Sequence, residues 1–379
     1  MQKGFIQMNK VYFDYNASTP VAPEVAEEML PLVSSFYGNP SATHWAGKPV
    51  KELLAKARQR VASFLSCSPE EIIFTSGGSE SNNLALKGYY FKHRRKGNHI
   101  ITTKIEHPAI MNPCRFLESI GAKVTYVGVD QYGVVSPEEI EKAVTKDTIL
   151  ISVMHANNEV GTLQPLKEIA RTARKHGLAF HTDASQSAGK VPLDVEEMQV
   201  DMLTIAGHKL YAPKGIGALY IKKGTELEPL IHGAGHEGGL RAGTENTLLA
   251  AGLGKACEIA LVQMDVPKMK GLTDYFWQQL KKEFGDQVVM NGHPIERLPN
   301  TLNVSFPGKV GQDLLDAIPE LAASTGSACH AGMVELSPVL KEMQVPEKVG
   351  MGTIRFSFGR ETTKEEMEHV VRRLKETIK

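Results

Sequence analysis

The stretch Asp201-Met202-Leu203-Thr204-Ile205-Ala206-Gly207-His208-Lys209 decides how we interpret this chain. Residues 201–205 predict a buried strand, and the small residues after them end it. Lys209 then follows the end of a core strand, where a lysine can be partly desolvated. Desolvation lowers the pKa of an amine and frees it for chemistry with carbonyl groups. Lys209 is therefore a candidate Schiff-base lysine, although this segment taken alone favours an ordinary solvated lysine.

The composition is that of a globular protein with two domains. The chain has 379 residues, of which 42% are hydrophobic, and a chain of this length usually needs more than one core. Lys+Arg and Asp+Glu both number 43, so no net field favours nucleic acid or an anionic membrane. The first ten residues lack the apolar core of a signal peptide, and no apolar run is long enough to cross a bilayer. We therefore expect a cytoplasmic protein.

The four cysteines suggest neither a disulfide framework nor a zinc site. They are widely spaced and contain no C-x-x-C pair: Cys67, Cys114, Cys257 and Cys329. His232 and His236 are four residues apart, but they lie in a glycine-rich loop, and we predict no metal site. Residues 233–238 match G-x-G-x-x-G, yet no strand-to-helix unit surrounds them, so we discount a dinucleotide fingerprint.

The first two thirds of the chain alternate between strands and helices. Strands are predicted at 72–75, 99–103, 123–129, 148–154, 178–183 and 201–205, and helices at 50–65, 81–95, 108–120, 137–144 and 165–176. The alternation of apolar strands with helices predicts a mainly parallel sheet that helices cover on both faces. After Gly243 two long helices, 245–264 and 268–284, precede strands at 288–291, 301–306 and 353–358. This part predicts a smaller α+β domain.

Polar side chains follow the ends of five of the predicted strands. After 72–75 comes Ser76-Gly77-Gly78-Ser79, whose glycines and following helix suit a phosphate, although a plain turn fits equally well. Asp183 ends the strand 178–183 and is 26 residues before Lys209, which is enough for one crossover between neighbouring strands. Such an aspartate can hold a proton on a pyridine nitrogen, as pyridoxal phosphate (PLP) requires, or can simply cap a helix. Together, the polar side chains at these five strand ends favour a PLP site.

Two residues of the smaller domain stand out. Cys329 lies in the Gly/Ser/Ala-rich stretch 324–332, which predicts a flexible loop with an exposed thiol. Arg355 lies within a predicted core strand, where its guanidinium can bind a substrate carboxylate or form a half-buried salt bridge.

Nine short motifs occur in order along the chain, at residues 14–20, 38–41, 75–83, 106–107, 157–161, 181–184, 207–209, 241–246 and 326–329. These motifs resemble those of the cysteine desulfurases, a branch of the class V, fold-type I PLP-dependent enzymes. The resemblance covers nearly the whole chain. It implies a large PLP-binding domain at 15–258 and a small domain at 1–14 and 259–379 that carries the Cys329 loop.

The resemblance also implies roles for individual residues. Lys209 would form the Schiff base with PLP, Asp183 would pair with the pyridinium nitrogen, and Gln186 would reach the ring hydroxyl. The ring would stack on His107, which can also transfer protons. The phosphate would be bound by Ser79 and His208, and by Thr244 of the partner subunit. The substrate carboxylate would be held by Asn158 and Arg355.

The implied activity converts L-cysteine to L-alanine and leaves a persulfide on Cys329. A homodimer would then pass the sulfur to an acceptor or scaffold protein for iron–sulfur clusters or thiolated cofactors. Three alternatives stay open: a selenocysteine lyase, another fold-type I enzyme such as an aminotransferase, and a non-catalytic ligand-binding or sulfur-carrier scaffold.

The chain departs from the family's pattern at three places. Many members have serine at the position of Ala206, where the hydroxyl binds phosphate, so we expect one phosphate donor fewer and weaker retention of the cofactor. The serines beside Gln186, Ser185 and Ser187, also differ from the common pattern. His330 follows the cysteine, as in some selenocysteine lyases, which keeps selenocysteine open as a substrate.

Overall fold

The structure is a computed structural model that describes residues 10–325, 327–330 and 333–378, and for 327–330, 333 and 334 it describes the backbone only. Its strands are β1 (Val11–Tyr12), β2 (Ile72–Thr75), β3 (His99–Thr103), β4 (Lys123–Val127), β5 (Thr148–Ser152), β6 (Ala179–Asp183), β7 (Met202–Ala206), β8 (Gly217–Ile221), β9 (Val289–Asn291), β10 (Thr301–Ser305), β11 (Leu321–Ala322), β12 (Ser324–Thr325), β13 (Ser327–His330), β14 (Met333–Leu336) and β15 (Thr353–Ser357).

The helices are α1 (Pro23–Ser34), α2 (Gly47–Leu65), α3 (Gly78–Asn83), α4 (Tyr89–His93), α5 (Pro108–Ser119), α6 (Pro137–Ala143), α7 (Leu166–Lys175), α8 (Val195–Met198), α9 (Thr247–Gln263), α10 (Val266–Phe284), α11 (Gly311–Asp316), α12 (Pro338–Glu342), α13 (Glu347–Gly350) and α14 (Lys364–Ile378). A π-helical turn, Leu84–Gly88, joins α3 to α4, so 78–93 is one helical segment that begins three residues before the predicted start.

The large sheet has seven strands in the order β2-β8-β7-β6-β5-β3-β4. Only β8 runs against its neighbours β7 and β2, so the other six strands are parallel. This confirms the predicted α/β fold with a mainly parallel sheet. We interpreted residues 211–217 as a Gly/Pro-rich hairpin but predicted no strand after it, so β8 was missed.

Helices cover both faces of this sheet, as the apolar strands require. Alternate residues of β7 enter different hydrophobic clusters: Leu203 and Ile205 pack with α2 and α9, and Met202 packs against Leu86 and Tyr90 on the other face. Burial on both faces explains why the strand is apolar without alternation. No single described helix is long and apolar enough to span a membrane; one pair, 247–263 and 266–287, meets those limits only across an 80° bend.

A second, antiparallel sheet has the order β12-β15-β10-β9 and its own core. Aromatic rings dominate that core, where Phe13, Phe276, Phe356 and Phe358 meet edge to face. Residues 11–14 lie beside this sheet through β1 and a bridge from Asp14 to Ser357. The division into domains at 14/15 and 258/259 remains a prediction.

The predicted loop around Cys329 is wrong for part of its length. The backbone of β13, which contains Cys329, pairs antiparallel with β14, and Cys329 is opposite Val334. Gly326, Ala331 and Gly332 of the predicted loop, and the side chain of Cys329, lie outside the described residues.

Candidate active site

The parallel strands bring their carboxyl ends to one edge of the large sheet, where a cavity of about 640 Å³ opens. The predicted site residues that line this cavity are Ser79, His107, Asn158, Asp183, Gln186, His208, Lys209 and Arg355. They come from segments that are distant in the sequence. Arg355 belongs to β15 of the antiparallel sheet, so residues of both sheets line the cavity.

Lys209 lies in the short 3₁₀ turn that follows β7, and its amine points into the chain's first turn. Nζ donates hydrogen bonds to the backbone oxygens of Asn16 (2.6 Å) and Ala17 (2.8 Å). Burial, followed by the nearby charge of Arg355, lowers the pKa of Lys209 to about 8. Gly207 permits the tight turn, because a Cβ there would lie 2.8 Å from Ile216 Cγ2. The predicted strand-end position thus yields a desolvated lysine.

Asp183 ends β6, and β6 pairs directly with β7, so the carboxylate and Lys209 are delivered by neighbouring parallel strands. The Asp183 side chain is buried, and Oδ1 accepts a hydrogen bond from the Ser185 backbone N–H at 2.9 Å. Oδ2 accepts one from Asn82 Nδ2 at 2.6 Å. Each oxygen has a second lone pair. The fixed carboxylate can therefore still accept a hydrogen bond from a donor in the cavity. Asn82 positions this carboxylate, a role that we did not predict from the sequence.

His107 precedes α5 and caps it. Its Nδ1 accepts a hydrogen bond from the Ala109 backbone N–H at 3.1 Å, so the neutral ring carries its proton on Nε2. Burial lowers the pKa of His107, because the charged imidazolium is poorly solvated there. The cavity therefore borders a neutral, oriented aromatic ring.

The loop between β2 and α3 forms the anion-binding end of the cavity. Gly77 has a φ of 148°, a conformation that favours glycine, and the helical segment starts at Gly78 with free N–H groups in its first turn. Ser79 and His208 border the same cavity. Burial, followed by the charge of Lys209, lowers the pKa of His208 to about 4, so this ring is neutral at pH 7.

Gln186 is held by Asn16 and Lys190, neither of which we had assigned a role. Gln186 Nε2 donates to the Asn16 backbone oxygen at 2.9 Å, and Oε1 accepts from Lys190 Nζ at 3.0 Å. Lys190 Nζ also donates to Asn16 Oδ1 at 2.8 Å. Burial lowers the pKa of Lys190 well below its ordinary value. A lysine within a turn after a strand gives no sequence signal of burial, whereas Asn16 lay within a motif that we had noted.

Arg355 forms a salt bridge, which was one of its two predicted roles, and it also lines the cavity. Nη2 pairs with Asp14 Oδ1 at 2.6 Å, which is the salt bridge, and Nη1 donates to the Asn158 backbone oxygen at 2.9 Å. Nε is buried, and no described residue accepts its proton. Arg355 also lines the cavity, which places its side chain beside a bound ligand. Nη2 also donates to Ser324 Oγ at 2.9 Å, which places β12, just before the Cys329 strand, beside the site.

The two remaining predicted site residues are Thr244 and Cys329. Thr244 is exposed on this chain and is not among the residues that line the cavity. The Cys329 side chain lies outside the described residues. Within the described part of the chain no cluster of three or more His, Cys, Asp or Glu side chains is arranged to hold a metal ion.

Comparison with known proteins identifies the family. The family model "Aminotransferase class-V" matches residues 11–370. The cysteine desulfurase IscS of Dictyoglomus turgidum is 46% identical over 96% of this chain and 93% of its own. A solved NifS-like protein superposes with a TM-score of 0.92 at 38% identity, covering 97% of this chain and 99% of its own. The structure titled "SspA in complex with cysteine" gives a TM-score of 0.82 at 41% identity, covering 92% and 98%. The chain therefore belongs to the class-V aminotransferase family, within its cysteine desulfurase branch.

Proposed function

We propose that this protein is a PLP-dependent cysteine desulfurase that converts L-cysteine to L-alanine and leaves a persulfide on Cys329. One observation supports this most: a lysine amine with a pKa of about 8, a buried carboxylate and an arginine border one cavity. The names of the relatives agree, and one structural neighbour is titled as a complex with cysteine.

The residues present fit PLP in both charge and shape. Lys209 supplies an amine, Asp183 an acceptor for a ring N–H, and His107 a flat ring to stack on. Ser79, His208 and the free N–H groups after Gly77 suit the phosphate. Gln186, oriented by Lys190, has an amide N–H for the ring hydroxyl. When bound, PLP supplies an electron sink that stabilises negative charge at the substrate α-carbon.

The chain's own residues would then do the remaining work. Arg355 and the Asn158 side chain would bind and orient the substrate carboxylate. The neutral amine of Lys209 would take the α-proton of the substrate, and its low pKa keeps this amine available near pH 7.

Cys329 performs the sulfur transfer in this proposal. Its thiolate forms a bond to the substrate sulfur while the bond from that sulfur to the β-carbon breaks. The electron pair of the broken bond stays with the carbon skeleton, which takes up protons and leaves as alanine. The persulfide on Cys329 is then passed to an acceptor or scaffold protein that assembles iron–sulfur clusters or thiolated cofactors.

We propose a cytoplasmic homodimer as the working form. The three cysteines with described side chains, Cys67, Cys114 and Cys257, are all free thiols, which suits a reducing compartment. Several large apolar side chains are strongly exposed on this chain and suit a subunit interface: Leu30, Val33, Tyr37 and Trp45. Thr244 of the partner subunit would then reach the phosphate. Sedimentation of the protein and of a Thr244→Ala variant, with PLP affinity measured for both, tests this arrangement.

The decisive experiment follows alanine and persulfide produced from L-cysteine. We expect Cys329→Ser to bind PLP like the wild type but to form no persulfide, and Lys209→Ala to lose the visible absorption of bound PLP. Cys67→Ser is the matched control and should keep its activity, because Cys67 does not line the cavity. A colourless protein that PLP cannot reconstitute would refute the proposal and favour a non-catalytic scaffold. Selenocysteine cleavage retained by Cys329→Ser would identify a selenocysteine lyase activity.

A further inference from the structure

Three small residues of the cavity wall meet at one point. Asp183 is paired with Thr204 in the parallel register of β6 and β7, and Ser185 and Ala206 are each two residues further along the chain. Strand β6 ends at Asp183, and the distances from Gly78 show that the two side chains lie near one another. A Cβ added to Gly78 would lie 2.9 Å from Ser185 Oγ and 3.3 Å from Ala206 Cβ. Ser185 Oγ and Ala206 Cβ therefore border the same small space beside Gly78, where the helical segment begins.

The Ser185 hydroxyl is uncommitted but held in place. Its backbone N–H donates to Asp183 Oδ1 at 2.9 Å, which fixes the residue at the mouth of the sheet. No hydrogen bond joins Ser185 Oγ to another of the described residues, although the side chain lines the cavity and is partly buried. Gly78 has no side chain to fill the space, so the hydroxyl faces the anion-binding end of the cavity.

We infer that Ser185 donates a hydrogen bond to the phosphate of the bound cofactor and so replaces the hydroxyl that Ala206 lacks. The donor lies in the turn after β6 instead of at the end of β7, and both positions are next to Gly78. The absence of a side chain at Gly78 makes room for it. This inference rests on the proposed function, and it revises the expectation that the chain has one phosphate donor fewer.

The test compares two ligands that differ only in the phosphate. Apoprotein is titrated with PLP and with pyridoxal, and the dissociation constants are measured from the absorbance of the bound ligand. Ser185→Ala should weaken PLP binding by about 10- to 100-fold, the range expected for one hydrogen bond to a charged group, and leave pyridoxal binding within about twofold. The double variant Ser185→Ala/Ala206→Ser should recover most of the loss.

Each outcome separates this inference from the proposed function. If wild type binds PLP and Ser185→Ala binds it equally well, the inference fails while the proposed function stands. An equal loss for PLP and pyridoxal would also refute it, because the hydroxyl would then act on the ring or on the fold. If wild type fails to bind PLP, the proposed function itself fails. Ser18→Ala is the control for a second cavity serine, and a phosphate-specific loss there would remove the selectivity that we assign to Ser185.

Discussion

The lowered pKa of Lys209 predicts how fast the apoprotein captures PLP at different pH values. Only the neutral amine attacks the aldehyde, so the capture rate follows the neutral fraction. With an ordinary pKa of 10.5, about one lysine in 3,000 is neutral at pH 7, whereas with a pKa of about 8 about one in ten is. The site therefore increases the reactive form about 300-fold at pH 7.

Stopped-flow absorbance of apoprotein mixed with excess PLP measures this rate between pH 6 and 10. We expect the rate to rise about tenfold per pH unit up to about pH 8 and then to level off. Nα-acetyl-lysine is measured alongside, because its amine has an ordinary pKa and any titration of PLP itself cancels in the ratio. Its rate should continue to rise beyond pH 9.

The contribution of Arg355 to the lowered pKa of Lys209 is tested by removing the arginine's charge. Burial comes first and the charge of Arg355 second among the effects that lower the pKa of Lys209. In Arg355→Gln the midpoint should therefore move to higher pH but stay below that of the free amine. A wild-type midpoint near pH 10, or a variant midpoint that moves to lower pH, would refute the reasoning.

Three further predictions concern positioning and buried charge. Lys190→Met should weaken PLP binding about tenfold, because Gln186 loses the hydrogen bond that orients its amide, and titration of the apoprotein measures this. Asn82→Ala should shift the absorption maximum of bound PLP and lower kcat several-fold, because Asp183 Oδ2 loses its donor; an unchanged spectrum would contradict it. Burial raises the pKa of Glu106 from 4.5 to about 8, so the folded chain keeps a proton that the unfolded chain has lost between those pH values. Stability should therefore fall as pH rises through that window, and Glu106→Gln should flatten the fall in Tm.

Much of the fold and of the site's contents followed from local patterns. The strand end at Lys209, the crossover from Asp183 and the glycine loop before Ser79 are each signalled by residues next to one another in the chain. The hydrogen bonds from Asn82 to Asp183 and from Lys190 to Gln186 were not predicted. The first joins segments about a hundred residues apart. The second depends on the burial of Lys190, which its neighbours Gly189 and Val191 do not reveal.

The reversed strand β8 explains why Lys209 and the glycine loop after β2 share one edge of the large sheet. A seventh parallel strand would need a crossover from β7 to the opposite edge, and the chain after Lys209 would leave the cavity at once. Because β8 is antiparallel, the turn between β7 and β8 stays at the carboxyl edge, and Lys214, Gly215 and Ile216 line the cavity there. The same reversal lets β8 pair with β2, which brings the glycine loop beside Ala206. The strand that our sequence analysis missed is therefore the one that joins the lysine end of the cavity to its phosphate end.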